Sequence, residues 1–360
     1  MKIKLQITQS DFVFYGFALM GLAVAFLSSF LLPSKYFSDA HIIVNNTWDL
    51  KGFFGSYEFS VFFYNITGMK YLPFPIIALI QYPVVIFLLL KICRPAGFQY
   101  ITLPNVLMYF SFFILAIYLS MPSKDFLTFL FCTLIVFLIR KNTHIVRNRI
   151  LIGIFLIIFS VIFRVYFLIV LILSILFSLL HQIKVTNNLY NLLIKGLLAA
   201  IFMSLAFGVV KGKYISDTYR TELNTNRLHD AKIREESKTA IISPLPTNTW
   251  YGEAVSILDG FVVVNIPFKS VFSLSPQVIL FSLWQIFLFI FLFIKFNKRL
   301  KIPDSSNWNW AYYITFAFFL VQGMFEPDLG SSIKHKMGIF PFIYFILFYE
   351  TCNKNILGKN

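Results

Sequence analysis

Ten runs of mostly apolar residues divide this chain, near 12–32, 72–92, 101–120, 125–139, 150–163, 165–181, 193–210, 271–294, 308–325 and 337–349. A helix needs roughly 20 apolar residues to cross the hydrocarbon of a bilayer, and inside it every backbone N–H and C=O must be satisfied within the segment. The pattern therefore predicts an all-α, polytopic membrane helix bundle of about ten segments, with 1–360 as one integral membrane domain. Only 13% of residues are charged, against about a quarter in soluble domains. The first run is too long for the apolar core of a signal peptide and no A-x-A-like cleavage site follows it, so it is expected to stay as a transmembrane helix.

The stretch 150–181 is too long for one ordinary span and short for two, and Arg164 stands at its middle. An arginine at the centre of a single helix is costly, whereas at the tip of a hairpin it reaches a wet surface. Charge counting favours the hairpin. With two helices there, one side of the membrane collects sixteen of the 31 Lys and Arg in short loops and termini: Lys2, Lys4, Lys91, Arg94, Arg140, Lys141, Arg147, Arg149, Lys184, Lys195, Lys295, Lys298, Arg299, Lys301, Lys354 and Lys359. The short connections of the other side hold Lys124, Arg164, Lys334 and Lys336. The positive-inside rule then favours ten membrane segments with both termini cytoplasmic.

The net charge of +15 is explained by these clusters and does not call for nucleic acid. Cys93, Cys132 and Cys352 show no metal spacing and imply no disulfide framework. Two longer segments face outward in this topology. The first, 33–71, has Asp39, His41, Trp48, Asp49 and Glu58 among aromatic residues, its middle expected along the interface. The second, 211–270, opens with Arg220, Glu222, Arg227, His229, Asp230, Lys232, Arg234, Glu235, Glu236 and Lys238, which reads as a solvated helical face. After Pro244 and Pro246 it turns apolar through Trp250–Val255, which reads as a re-entrant or interfacial segment.

Four polar groupings, far apart in sequence, land on the same outer face. They are Asp39, then Pro122-Ser123-Lys124-Asp125, then Arg164-Val165-Tyr166, and last Glu326-Pro327-Asp328-Leu329-Gly330-Ser331-Ser332-Ile333-Lys334-His335-Lys336. The last is expected as a short turn in which Pro327 and Gly330 break helical geometry. Taken singly, each has a plain explanation: Ser123 and Asp125 suit a helix N-terminus, and Arg164 suits a snorkelling cation. Together, Lys124, Arg164, Lys334, His335 and Lys336 gather where a lipid diphosphate would sit, and Arg and Lys neutralise phosphate by charge-assisted hydrogen bonds.

In that order, Pro-Ser-Lys-Asp, Arg-x-Tyr and Glu-Pro-Asp-x-Gly-Ser-x-x-Lys-His-Lys resemble the motifs of Wzy-type O-antigen and capsule repeat-unit polymerases and of EpsG-like polysaccharide proteins, over roughly residues 120–345. Where that resemblance would put Arg-His-Lys, this chain has Lys334-His335-Lys336, which keeps the charge and loses the bidentate fork. The resemblance implies a GT-C-like multi-pass glycosyltransferase at the outer leaflet of a bacterial cytoplasmic (inner) membrane. Such an enzyme joins undecaprenyl-diphosphate-linked oligosaccharide units, as donor and acceptor, into O-antigen or capsular polysaccharide, and a chain-length regulator is a possible partner. It also implies an acid in the first external loop as base, which makes Asp39 a candidate, with Glu326 and Asp328 as rivals. His335 would position the diphosphate or relay a proton. Lys124, Asp125, Arg164, Tyr166, Ser331, Lys334 and Lys336 would bind sugar and diphosphate. The outer loops carry no Asp-x-Asp signature, so neither metal nor cofactor is expected. The alternatives are an O-antigen ligase or another lipid-carrier-dependent glycosyltransferase, or a transporter or flippase of lipid-linked sugars. A transporter would carry ionisable residues along the bundle interior.

Overall fold

The computed structural model describes residues 8–141, 144–183, 188–225, 239–273, 275–302 and 307–357, the side chains of 34, 35 and 351–357 excepted. Lys2, Lys4, Lys184 and Lys359 of the charge count, and Arg227 to Lys238 of the mixed-charge run, lie outside these residues, as do the side chains of Cys352 and Lys354. The described chain is helical, and every apolar run contains a helix. Among the described residues six helices are long and apolar enough to cross a bilayer, and this is a multi-pass membrane protein.

The chain divides into two compact units, Met1–Leu138 with Val161–Arg164 and Met337–Asn360, and Ile139–Ser160 with Val165–Lys336. The first unit holds α1 (Gln9–Leu31), α2 (Ser38–Asn45), α3 (Ser56–Ile66), α4 (Phe74–Ile92), α5 (Leu103–Leu119) and most of α6 (Lys124–Arg140). Thr8 starts α1 with a capping box, its hydroxyl accepting from the Asp11 N–H while the Asp11 carboxylate accepts from the Thr8 N–H. Asp11 also pairs with Arg94 at 2.7 Å. Helix α1 packs on α4 and α5 through Gly21, whose missing side chain admits the Tyr82 ring. Cys93, just past α4, is disulfide-bonded although the spacing implied no disulfide framework, and Cys132 is a buried free thiol.

The second unit holds α7 (Ile145–Ile162) up to Ser160, α8 (Phe167–Gln182), α9 (Leu189–Lys211), α10 (Trp250–Asn265), α11 (Pro276–Arg299), α12 (Asn309–Phe325) and most of α13 (Leu329–Gly338). The last helix, α14 (Phe340–Leu357), returns to the first unit, where it packs on α4 and α5. The stretch 150–181 does break, between Ile162 and Phe167. Helix α12 is buried on all sides from Asn309 to Met324 and packs against α8, α9 and α10, as expected of a helix apolar all round. The apolar half of 211–270, expected as re-entrant or interfacial, forms the helix Trp250–Asn265, which ends at Ile266 and Pro267 before a short turn of helix at Phe268–Val271, and Trp250–Val271 as a whole has the length and apolarity of a crossing segment. Its polar residues Glu253, Ser256 and Asn265 are buried against neighbours rather than exposed.

Helices α10 and α12 cross through Gly260 and Gly323. A Cβ on Gly323 would stand 2.8 Å from the backbone of Phe261, and one on Gly260 would collide with the Gly323 carbonyl and Arg220. Small residues of this kind let membrane helices approach closely. Gly323→Ala and Gly260→Ala should each cost about 1–3 kcal/mol by overpacking, whereas Gly153→Ala, with nothing within 4 Å of the added carbon, should not destabilise. Thermal unfolding of the purified variants checks this. Equal midpoints for all three would show that the crossing tolerates a wider spacing.

Candidate functional site

Two polar clusters stand out, one in each unit. In the first unit, Ser123 caps α6, its hydroxyl accepting from the Phe126 N–H at 3.1 Å. The residues before it are held by Tyr64, which is fully buried and accepts from the Ser123 N–H at 3.2 Å. With the Gln81 amide oriented to accept from the Tyr64 hydroxyl, its nitrogen donates to the carbonyls of Ser120 and Met121. That network sets the start of α6 and with it Lys124 and Asp125.

Asp125 stands in the first turn of α6. Its fully buried carboxylate pairs at 2.8 Å with Arg164, whose side chain is 4% exposed. Arg164, expected at a wet hairpin tip, is thus inside the unit. The reason is electrostatic: a carboxylate withdrawn from water needs a charge partner. Lys124 points elsewhere. Its ammonium lies 3.7 Å from Asp39, with both side chains about one-seventh exposed (14% and 16%), and 3.6 Å from the ring centroid of Tyr57. Tyr57 donates its hydroxyl to Asp39 at 2.8 Å. Burial raises the Tyr57 phenol well above its ordinary pKa, and the Asp39 charge and hydrogen bond raise it further. Asp39, Lys124, Asp125 and Arg164, drawn from three separate stretches, are therefore one cluster of two acids and two cations, with Tyr57 between its halves.

In the second unit the expected Glu326–Lys336 turn is mostly the helix α13. The chain leaves α12 at Glu326, which has extended backbone, and Gly330 lies inside α13 rather than breaking it. Asp328 caps that helix, accepting from the Ser331 N–H at 2.8 Å and from the Ser331 hydroxyl at 2.9 Å. Two of the residues singled out in the sequence, Asp328 and Ser331, thus hold one another. Glu326 is fully buried, and one of its oxygens accepts from Gln322 at 2.9 Å and lies 2.7 Å from His335 Nδ1. Its other oxygen is buried with no hydrogen-bond partner among the described residues. The His335 side chain is 20% exposed, and its ring lies 6.0 Å from Phe325, which in turn meets Tyr166 at 4.7 Å. Lys334 is half-buried on the same helix. Lys336, expected among the outward cations, is 1% exposed and donates to the Val264 carbonyl at 3.2 Å over the Phe319 ring. Burial pulls its pKa below the ordinary lysine value, with the Glu326 charge acting the other way.

Arg220 is the residue that sequence reasoning missed most clearly. Expected on a solvated face, it is 1% exposed and donates to the carbonyls of Glu326 (3.0 Å), Ser256 (2.8 Å) and Gly323, and to the Ser256 hydroxyl (2.9 Å). Burial lowers its pKa from the ordinary arginine value, opposed by Glu253, Asp259 and Glu326. Ser216 adds a hydrogen bond to the Met324 carbonyl, and Glu253 accepts from the Ser204 hydroxyl and the Ser216 N–H. The Asn224 amide donates to the Ile241 and Pro327 carbonyls. Nothing local in the mixed-charge run marks Arg220 apart from its neighbours.

Compared with known protein families, with curated proteins and with solved structures, the chain matches none of them.

The buried pair yields a stability test. Removing one partner of a buried ion pair costs on the order of 3–5 kcal/mol, because the other charge is stranded. Arg164→Met or Asp125→Leu alone should therefore lower the yield and melting temperature of the purified protein, and the double variant should recover much of the loss. Additive losses in the double variant would show that the two side chains act independently.

Proposed function

We propose that this multi-pass membrane protein is a glycosyltransferase that joins oligosaccharide units carried on a lipid diphosphate, the polymerase reading that the motif resemblance implies. The reading takes about ten crossing segments in a GT-C-like layout, with both termini cytoplasmic and the Glu326–Lys336 end outside. The observation that carries it is the pairing of fully buried Glu326 with partly exposed His335 at 2.7 Å.

An ionised carboxylate only accepts hydrogen bonds. Glu326 therefore holds the proton of a neutral His335 on Nδ1 and leaves Nε2 as the basic nitrogen. In the proposed reaction Nε2 takes the proton of an acceptor sugar hydroxyl while that oxygen attacks the anomeric carbon of the donor. The bond between the anomeric carbon and the diphosphate oxygen breaks, and its electron pair leaves with the lipid diphosphate. Of the cations, half-buried Lys334 suits the departing charge better than buried Lys336, whose ammonium already donates to Val264. Asp328 is engaged as a helix cap and Asp39 accepts from the Tyr57 hydroxyl, so the proton is given to the imidazole.

The test uses the purified protein in liposomes with a lipid-diphosphate-linked oligosaccharide, following chain growth on a gel and release of lipid diphosphate. His335→Asn should lose roughly 10²–10⁴-fold in rate, and Glu326→Gln should fall with it while both proteins remain folded. Full chain growth in His335→Asn would remove the proposed base. Transfer of a single unit by the wild type, without further growth, would favour the ligase reading.

A further inference from the structure

Helices α2 and α3 are joined by a loop that turns through four residues of positive φ. Asn46 closes α2 in the left-handed conformation that Asn readily adopts at a helix end (φ 46°), and Asp49, Gly52 and Gly55 also have positive φ. The Asn46 side chain clamps the loop, accepting from the Leu50 N–H at 2.9 Å and donating to the Leu50 carbonyl at 3.2 Å. The Gly55 N–H donates to the Ile162 carbonyl at 2.9 Å. Between these anchors Trp48 is set with its ring 4.7 Å from Tyr57, at 60°. Trp48 is 56% exposed. Tyr57, beneath it, donates to Asp39 and lies under the Lys124 ammonium.

We propose that Trp48, Tyr57, Asp39 and Lys124 form a carbohydrate subsite in the first unit that takes a pyranose ring of the oligosaccharide substrate. The exposed indole offers an apolar face to the C–H side of the ring. Asp39 accepts from hydroxyl groups, and Lys124 donates to a hydroxyl oxygen or to an acidic sugar. Tyr57 fixes the spacing, because its ring and its hydroxyl touch three members of the group. An indole serving only as an anchor in the lipid interface needs neither a clamped loop nor a carboxylate and an ammonium around the tyrosine beneath it. This assignment rests on the glycosyltransferase reading for its choice of sugar, but the subsite requires no step of the chemistry.

The test is saturation-transfer NMR on the full chain in nanodiscs, which carry no sugar-headed detergent, with a panel of methyl pyranosides of hexoses, N-acetylhexosamines and hexuronic acids as probes. In the wild type, transfer should be strongest to the C–H protons of one ring face. Trp48→Ala should weaken binding on the order of tenfold, the size of one good aromatic contact. Trp48→Phe should keep part of it, and Asp39→Asn should change which pyranoside is preferred. His335→Asn should bind as the wild type does while losing chain growth, which separates the two ideas. Transfer that is absent in the wild type, or unaffected by Trp48→Ala, would overturn the subsite and make the indole an interfacial anchor, whatever the polymer assay shows. Loss of chain growth with binding intact bears on the catalytic reading alone.

Discussion

The second unit depends on how the C-terminal end of its central helix is finished. The last carbonyls of an α-helix have no partner within the helix, and in an apolar, water-poor interior each unmet one is costly. Helix α12 ends under complete burial, so water cannot serve it. Arg220 meets the Gly323 and Glu326 carbonyls, and Ser216 meets that of Met324. The arginine reaches them because Gly260 and Gly323 let α10 and α12 come together without side chains between. Glu326 is the first residue past this closed end, and His335 leans on Glu326. The position of the imidazole thus follows from how a helix end is satisfied.

Charge is handled differently in the two units. In the first, acids and cations alternate. The inner pair, Asp125 with Arg164, is withdrawn from solvent and neutralised, and the outer pair, Asp39 with Lys124, is looser and meets solvent. A loose, partly exposed pair exchanges partners at little cost, whereas a buried one does not. The inner pair is suited to holding the helix ends and the outer pair to meeting a ligand. In the second unit the arginine and the buried lysine at the heart of the cluster spend donors on backbone carbonyls, and the partly exposed groups are His335 and Lys334.

The helix break around Arg164 was legible because a cation in the middle of a long apolar run is expensive anywhere but at a turn. The gathering of Asp39, Lys124 and Arg164 was legible in outline, since short loops leave such groups few places to go. Their pairing was not. Ser123 and Asp125 both suit a helix N-terminus, and only the structure assigns the cap to Ser123 and the arginine to Asp125. Arg220 was unreadable, since a charged residue among charged residues looks solvated, and its burial comes from helices 36 and 103 positions away in sequence.

The sequence by itself determined that this is a multi-pass helical membrane protein, because hydrocarbon admits only segments that satisfy their own backbone, and that requirement is written in runs of apolar residues. It also determined which ionisable residues are rare enough to matter. The tertiary structure alone decided which of them are neutralised, which are buried and which face outward. Those outcomes turn on angstrom-scale distances between residues far apart in the chain: a carboxylate 2.7 Å from an imidazole nitrogen orients it, and a lysine in a loop rich in polar residues can still end under an aromatic ring. No local pattern encodes such distances, because they are set by how the helices pack.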